Sequence, residues 1–257
     1  MVGPRQLSLA AGTVLDVDPP RAVEVAAEAG FDAVGLWFDP SAWSERTTRA
    51  VAARLEATGL TALDIEPVIL GRGDDPGDRI VDVATELGVA NVLVASGPAA
   101  ISEVERRLVE LSERAPAGLT LVLEFLPIFT VATLEDALDV VSAVDAPNVA
   151  VLVDTLHLHR SGGDPSLLTA VDRSLLPYLQ VADAPAERPT SAAALREEAL
   201  HGRLLPGEGE LPLGEVVAAV PGVPVSAELR SRALMDEHSD PVERARIVRE
   251  ACLPLLG

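Results

Sequence analysis

The sequence of 257 residues predicts an α/β fold, a single (β/α)8 (TIM) barrel domain that spans residues 1–257. Eight short runs rich in valine and leucine alternate with helical patterns along the whole chain. Most of these runs lack regular polar alternation, as expected for strands that are buried on both faces. Eight strand–helix units in about 250 residues are typical of this barrel. No linker or low-complexity tract divides the chain, and a doubly wound sheet is the structural alternative.

The elements follow in order along the chain. The eight predicted strands are residues 7–14, 31–38, 60–70, 89–95, 119–126, 149–155, 176–182 and 223–229. Helical stretches between them carry apolar residues at i, i+3 and i+4 and often end at glycine, for example PPRAVEVAAEAG, SERTTRAVAARLEATG, GDRIVDVATELG and SEVERRLVELSERAP. The last helix is predicted in DPVERARIVREACLPLL, with Asp240 as its N-cap and Pro241 at its first position.

One segment, residues 183–222, interrupts this regular alternation. It contains a predicted short helix, SAAALREEAL, and a loop, HGRLLPGEGELP. Long excursions within a compact domain are usually functional or disordered. Because the loop lies between the seventh and eighth strands, we expect it to fold over one end of the barrel.

Charge and composition exclude several classes of function. The formal net charge of −20 argues against a nucleic-acid partner, whose phosphates the protein would repel. All 20 basic residues are arginine, so chemistry by a lysine Schiff base or a lysine base is excluded. No apolar run approaches the roughly 20 residues that span a bilayer, and the N-terminal segment lacks a secretory signal. We therefore expect no membrane association and a cytoplasmic location, with Cys252 as a buried structural thiol.

Polar residues stand near the ends of the four consecutive strands five to eight. They are Glu124 in LTLVLEF, Asp154 in NVAVLVDT, Gln180 in LPYLQVAD and Glu228 in VPVSAELR. Because these strands are neighbours in a barrel, their carboxyl-terminal ends would bring the four side chains together. Three carboxylates cannot converge unpaired, since repulsion and desolvation would protonate some of them. An all-oxygen set completed by the glutamine carbonyl suits one Mg²⁺ or Mn²⁺ better than Zn²⁺. The alternative is that each residue caps a loop or pairs with an arginine.

Further candidates for the site follow the sixth and seventh strands. In DTLHLHRSGGDP, His157 can hydrogen-bond a substrate oxygen or move a proton. His159 and Arg160 are candidate substrate contacts in the same segment, the arginine for an anionic group. Arg203, before the Pro-Gly-x-Gly turn, can hold a carboxylate, a phosphate or a developing enolate oxygen.

Three more candidate residues stand at or directly after strand ends. Glu66, in LDIEP at the end of the third strand, is a candidate substrate contact. Trp37, at the end of the second strand, either lines the pocket or fills the core. Asp183 is expected to organise the loop that follows it rather than to catalyse.

These residues resemble those of the xylose isomerase-like TIM-barrel superfamily, the sugar phosphate isomerase/epimerase group. The resemblance covers most of the chain, is strongest over residues 119–231, and implies a metal held by Glu124, Asp154, Gln180 and Glu228. The family's Asp-x-x-His matches the spacing of His157, and its arginine before a Pro-Gly-x-Gly turn matches Arg203. The family more commonly has histidine at position 180. Two branches, hydroxypyruvate isomerase and bacterial 3-dehydroshikimate dehydratase, carry glutamine in a setting like QVAD, and the string VADAP with HGRLLPGEGELPL is similar to the dehydratase branch.

This resemblance implies a metal-dependent isomerase or epimerase for a small polyhydroxy carbonyl substrate, with a homodimer as a family-level expectation. The reaction would be proton abstraction next to a carbonyl through a metal-stabilised enediolate. Glu124 and Glu228 would transfer protons, His157 would orient or protonate substrate oxygens, and Arg203 would neutralise an anionic group. Two alternatives stay open. One is a metal-dependent dehydratase of the 3-dehydroshikimate dehydratase type, and the other is a non-catalytic sugar-binding barrel.

Overall fold

The computed structural model describes residues 5–256, and eight parallel strands form a closed barrel in chain order. The strands are β1 Leu7–Leu9, β2 Ala33–Trp37, β3 Thr61–Ile69, β4 Asn91–Ala95, β5 Thr120–Glu124, β6 Val149–Asp154, β7 Leu179–Val181 and β8 Val225–Ala227. Each lies within its predicted range. Because β1 pairs with both β2 and β8, the sheet has no open edge, which confirms the (β/α)8 barrel and excludes the doubly wound alternative.

Helices follow the strands and cover the outside of the barrel. Within residues 5–256 they are α1 Pro19–Ala29, α2 Glu45–Thr58, α3 Gly77–Leu87, α4 Ile101–Arg114, α5 Leu134–Val144, α6 Thr155–Arg160, α7 Pro165–Leu168, α8 Ala192–His201, α9 Leu213–Ala219, α10 Arg232–Glu237 and α11 Pro241–Cys252. The predicted cap of the last helix is confirmed, because the Asp240 side chain accepts hydrogen bonds from the first backbone amides of α11. The predicted short helix in the excursion is α8, whereas α9 was not predicted.

The first strand is shorter than predicted because the chain turns after Leu9. Residues Ala11–Val14 form a 3-10 helix instead of continuing the strand. Thr13 Oγ1 donates to the Ala227 carbonyl at 2.8 Å and accepts from the Leu229 amide at 2.8 Å. These two bonds tie the segment across the carboxyl-terminal end of β8. The apolar run therefore belongs to the rim of the barrel.

The strand register shows which side chains face the barrel interior. Asp154 pairs with Gln180, Gln180 pairs with Ser226, and Ser226 pairs with Ser8, so these four polar residues share one face. That face is the interior, because Tyr178, two residues before Gln180, belongs to the apolar cluster inside the barrel. Its members are Ala33, Leu63, Leu93, Val122, Ala150, Leu152 and Tyr178. The polar row thus lies next to this apolar cluster, toward the carboxyl-terminal ends of the strands.

Cys252 is fully buried in α11, and burial raises the pKa of its thiol to about 12, as expected for a structural cysteine. In the described part of the chain, every helix is too short or too polar to cross a membrane.

Candidate active site

The structure brings the predicted strand-end carboxylates together at the carboxyl-terminal end of the barrel. Glu124 ends β5, Asp154 ends β6 and Glu228 directly follows β8, and all three side chains are buried. Glu124 and Glu228 line the pocket, together with Glu66 from β3 and Trp37 from β2. The pocket therefore has an acidic floor built from several strands.

A histidine joins two of these carboxylates. Ligand atoms of Glu124, Asp154 and His157 all lie within 4.8 Å of one another, and His157 Nε2 is 3.8 Å from Glu124 Oε1. The local fold explains this, because Asp154 Oδ1 caps α6 by accepting from the Leu156 amide at 2.7 Å and the His157 amide at 3.2 Å. The Asp-x-x-His spacing thus returns the imidazole over the capping carboxylate. Burial lowers the pKa of His157 to about 4, so the ring is neutral at pH 7.

Gln180 is the site residue with the least satisfied polar groups. It is fully buried in β7, and neither its Oε1 nor its Nε2 has a hydrogen-bond partner among the described residues. Leaving a buried amide unpaired costs roughly 1–3 kcal/mol per group. Since Gln180 pairs in register with Asp154, its carbonyl oxygen is a ready additional donor beside the Glu124–Asp154–His157 group.

Burial and mutual repulsion oppose ionisation of the carboxyl groups in the acidic floor. Burial, and then repulsion from neighbouring carboxylates, holds the pKa of Glu66 and of Glu124 well above the usual range. Burial likewise raises the pKa of Asp64, deeper in the barrel, to about 7. A divalent cation would favour the ionised forms of these carboxyl groups. The site offers oxygen and imidazole donors and the unpartnered amide of Gln180. Its residues therefore fit such an ion.

Arg203 directs its guanidinium to the protein's own acceptors. Nη1 lies 2.6 Å from Asp154 Oδ2, Nη2 lies 3.2 Å from Glu228 Oε2, and Nε donates to the Ala199 carbonyl at 3.0 Å. Burial raises the pKa of Asp154, but the charge and hydrogen bond of Arg203, together with the interactions with His157, outweigh it and lower this pKa to about 2. These contacts leave little of the guanidinium for a substrate anion. The predicted substrate role of Arg203 stays a prediction, and the geometry favours a role toward the two carboxylates.

Three other arginines line the pocket without forming an ion pair among residues 5–256: Arg72, Arg196 and Arg230. The Arg230 guanidinium lies 5.6 Å from the centroid of the Trp37 ring, and its buried Nε has no hydrogen-bond partner. Arg72 stacks on Phe129 at 5.0 Å. These residues were not predicted from the sequence because they lie in loops or on α8. For Arg230, its position two residues after Glu228 was the one feature of the sequence that could have indicated a place in the pocket.

His159 and Arg160, predicted as substrate contacts, do not line this pocket. Arg160 is buried and forms two bonds to the Glu198 carboxylate on α8, each of 2.7 Å, and a third of 2.7 Å to the Pro185 carbonyl. His159 Nδ1 lies 2.9 Å from Arg160 Nη1. The geometry therefore gives Arg160 a structural contact between α6 and α8.

Comparison with known proteins identifies the family. A family model described as "xylose isomerase-like TIM barrel" matches residues 23–252. The chain belongs to this family. A curated relative, 3-dehydroshikimate dehydratase of Pseudomonas aeruginosa, is 30% identical over 217 residues, which cover 78% of this chain and 34% of the relative. The chain thus spans about a third of the length of that enzyme.

Solved structures of other proteins share the fold. A xylose isomerase-like TIM barrel/4-hydroxyphenylpyruvate dioxygenase fusion protein superposes with a TM-score of 0.84 at 24% identity, covering 98% of this chain and 43% of the other. The IOLI protein with a bound zinc atom superposes with a TM-score of 0.83 at 19% identity, covering 98% of both chains. At these identities the likeness concerns the barrel alone.

Proposed function

We propose that the chain is a divalent-metal-dependent dehydratase that acts on a small anionic hydroxy-ketone of the 3-dehydroshikimate type. The observation that carries this proposal is the combination of an acidic floor with three unpaired arginines, Arg72, Arg196 and Arg230, in one pocket. An acidic floor suits a cation, whereas arginines that have no ion pair among the described residues suit a substrate carboxylate. The 30% identity to a 3-dehydroshikimate dehydratase supports the same choice.

The cation, Mn²⁺ or Mg²⁺, would be held by Glu124, Asp154, Gln180 and Glu228, with His157 within reach of the first two. When bound, it supplies Lewis acidity, which polarises a substrate carbonyl and makes the neighbouring proton more acidic. The protein's own groups then move the protons.

Two carboxyl groups are suited to opposite proton-transfer roles. Burial raises the pKa of Glu228, but the charges of Arg203 and Arg230 oppose the rise, so this group is the better base. Glu66 has no ion pair in the described structure and its pKa is held well above the usual range, so it is the better acid. Groups whose environments separate their pKa values in this way are typical acid–base pairs.

In the proposed reaction, a carboxylate oxygen of Glu228 removes the proton on the carbon next to the carbonyl. The electrons of that C–H bond form the new C=C bond, and the β-hydroxyl leaves. The Glu66 carboxyl gives its proton to the departing oxygen, which is released as water. His157, neutral at pH 7, orients a substrate oxygen through its ring N–H.

An isomerase or epimerase is the second candidate. It is favoured by the presence of both Glu124 and Glu228 in the pocket, on β5 and beyond β8. A proton removed by one carboxylate can be returned by the other on the neighbouring carbon or the opposite face.

The test compares products formed by the Mn²⁺-loaded protein from 3-dehydroshikimate, hydroxypyruvate and ketoses. Elimination creates a new conjugated chromophore and lowers the product mass by one water. Isomerisation leaves the mass unchanged and creates no conjugated chromophore. Glu228→Gln and Glu66→Gln should lower turnover by about 10²–10⁴-fold when each variant is assayed well below its own melting temperature. Normal turnover in both variants would refute this mechanism. Absence of turnover on every substrate, with sugar binding retained, would favour the non-catalytic barrel.

A further inference from the structure

Asp183, outside the pocket, binds four backbone amides with one carboxylate. Oδ1 accepts from the amides of Ala184 at 2.9 Å and Leu211 at 3.0 Å. Oδ2 accepts from Gly207 at 2.9 Å and Gly209 at 3.1 Å. The side chain is buried, forms no ion pair within residues 5–256 and does not line the pocket. Both carboxylate oxygens are therefore used to hold backbone.

These bonds fix the loop of residues 204–211. Asp183 and Leu204 exchange two backbone hydrogen bonds, of 3.0 and 2.9 Å, at the start of the loop. Near its end, the Glu210 amide donates to the Ala184 carbonyl at 2.9 Å. Leu211 then enters a small apolar cluster under the loop. The cluster consists of Leu156, Ala184, Ala199, Leu211 and Leu213. The loop is thus held at both ends, and Asp183 supplies the bonds to its middle.

Arg203 directly precedes this loop and points the other way, into the site. Its backbone amide donates to the Arg230 carbonyl at 3.3 Å, and its neighbour Leu204 is the residue paired with Asp183. Its guanidinium holds one oxygen of Asp154 and one of Glu228. A shift of the loop would therefore move the Arg203 guanidinium, which orients both carboxylates.

We propose that Asp183 is a positioning residue that acts on the metal site through this chain of contacts. It fixes the loop, the loop fixes Arg203, and Arg203 fixes Asp154 and Glu228 in the orientation in which they bind the divalent cation. The inference rests on the proposed function only in assigning the cation to those carboxylates. Mutating a residue that orients the metal ligands without itself binding the metal typically lowers metal affinity by about 10–100-fold.

The first experiment measures Mn²⁺ affinity by calorimetry, without substrate, at a temperature well below unfolding. Asp183→Ala should weaken Mn²⁺ binding by about 10–100-fold, and Asp183→Asn, which keeps one acceptor oxygen, should weaken it less. The control is Asp240→Ala, which removes a carboxylate that also binds backbone amides but caps α11 and does not line the pocket. It should lower the melting temperature without changing Mn²⁺ affinity. Wild-type affinity in Asp183→Ala would overturn the inference.

A double-variant cycle tests whether the effect passes through Arg203. Arg203→Lys loses the forked contact to the two carboxylates. If Asp183 acts through Arg203, the double variant should bind Mn²⁺ no more weakly than Arg203→Lys alone. Additive losses would show that Asp183 acts by another route and overturn the inference.

Hydrogen exchange in the metal-free protein separates this inference from the proposed function. Asp183→Ala should speed exchange over residues 203–211, including the Arg203 amide, relative to the wild type. Absence of Mn²⁺ binding in the wild type would refute the proposed metal chemistry, and this exchange would then decide whether Asp183 holds Arg203. Unchanged exchange at Arg203 would refute the positioning role in either case.

Discussion

Arg203 Nη1 lies 2.6 Å from Asp154 Oδ2, and both side chains are buried at the carboxyl-terminal end of the barrel. This ion pair joins the loop between β7 and β8 to the end of β6. Because it lowers the pKa of Asp154 to about 2, this carboxylate stays ionised at every pH at which the protein would be assayed. The site therefore holds at least one anionic ligand ready for a cation.

Breaking this pair from the arginine side should destabilise the metal-free protein strongly. Arg203→Met leaves Asp154 buried without its cationic partner, which typically costs about 3–5 kcal/mol in free energy of unfolding. Urea denaturation after dialysis against a chelator measures it. The control is Arg114→Met, which removes an exposed ion pair to Asp82 on the outer helices and should cost far less. Equal losses in the two variants would contradict the importance of the buried pair.

The pH dependence of stability should have an unusual sign in the metal-free protein. Asp64 has a pKa of about 7 when folded and about 3.9 when unfolded, so the folded state binds its proton more tightly. Its contribution to the free energy of unfolding is fully present below about pH 4. As the pH rises to 7, that free energy falls by up to about 4 kcal/mol. Asp154 has the opposite sign, because its depressed pKa makes its contribution disappear as the pH falls from about 4 to 2.

The variant Asp64→Asn tests this assignment because it keeps the shape of the side chain but cannot titrate. Its unfolding free energy, measured from pH 4.5 to 7.5 in the presence of a chelator, should fall less steeply with pH than that of the wild type. An identical slope would show that the loss arises elsewhere in the acidic floor.

Gln180 should contribute to metal affinity rather than to folding. Gln180→Ala removes the buried amide that lacks a protein partner, so we expect weaker Mn²⁺ binding by about tenfold or more, with little loss of stability. Gln180→His should restore part of the affinity, since imidazole also binds Mn²⁺. The matched control is Gln6→Ala, which alters the exposed bond to Thr61 on the opposite end of the barrel. Wild-type Mn²⁺ affinity in Gln180→Ala would remove this residue from the ligand set.

The barrel and much of its acidic floor were predictable because both depend on short-range patterns. A strand that is buried on both faces is a continuous apolar run, and a polar residue that ends it stands out, as Glu124 and Asp154 do. The ion pair of Arg160 was not predictable, since its partner Glu198 lies 38 residues away, on α8. Arg72 and Arg230 were missed for a similar reason: loop residues follow no period, and only the closed barrel brings them to one pocket.

Arg230 should determine whether the pocket accepts an anionic substrate. Its guanidinium lies over Trp37 and has no ion-pair partner in the described structure, so a substrate carboxylate is its natural partner. A hydrogen bond to a charged group contributes about 1.5–3 kcal/mol, which corresponds to roughly 10–150-fold in binding. Arg230→Gln should raise KM for 3-dehydroshikimate by about that factor, with a smaller change in kcat. The control is Arg232→Gln, two residues along the chain, whose exposed side chain pairs with Glu197.

If both variants leave KM unchanged, the substrate anion binds elsewhere. If Arg230→Gln instead improves turnover of a neutral ketose, the unpaired arginine is what excludes neutral substrates from this pocket.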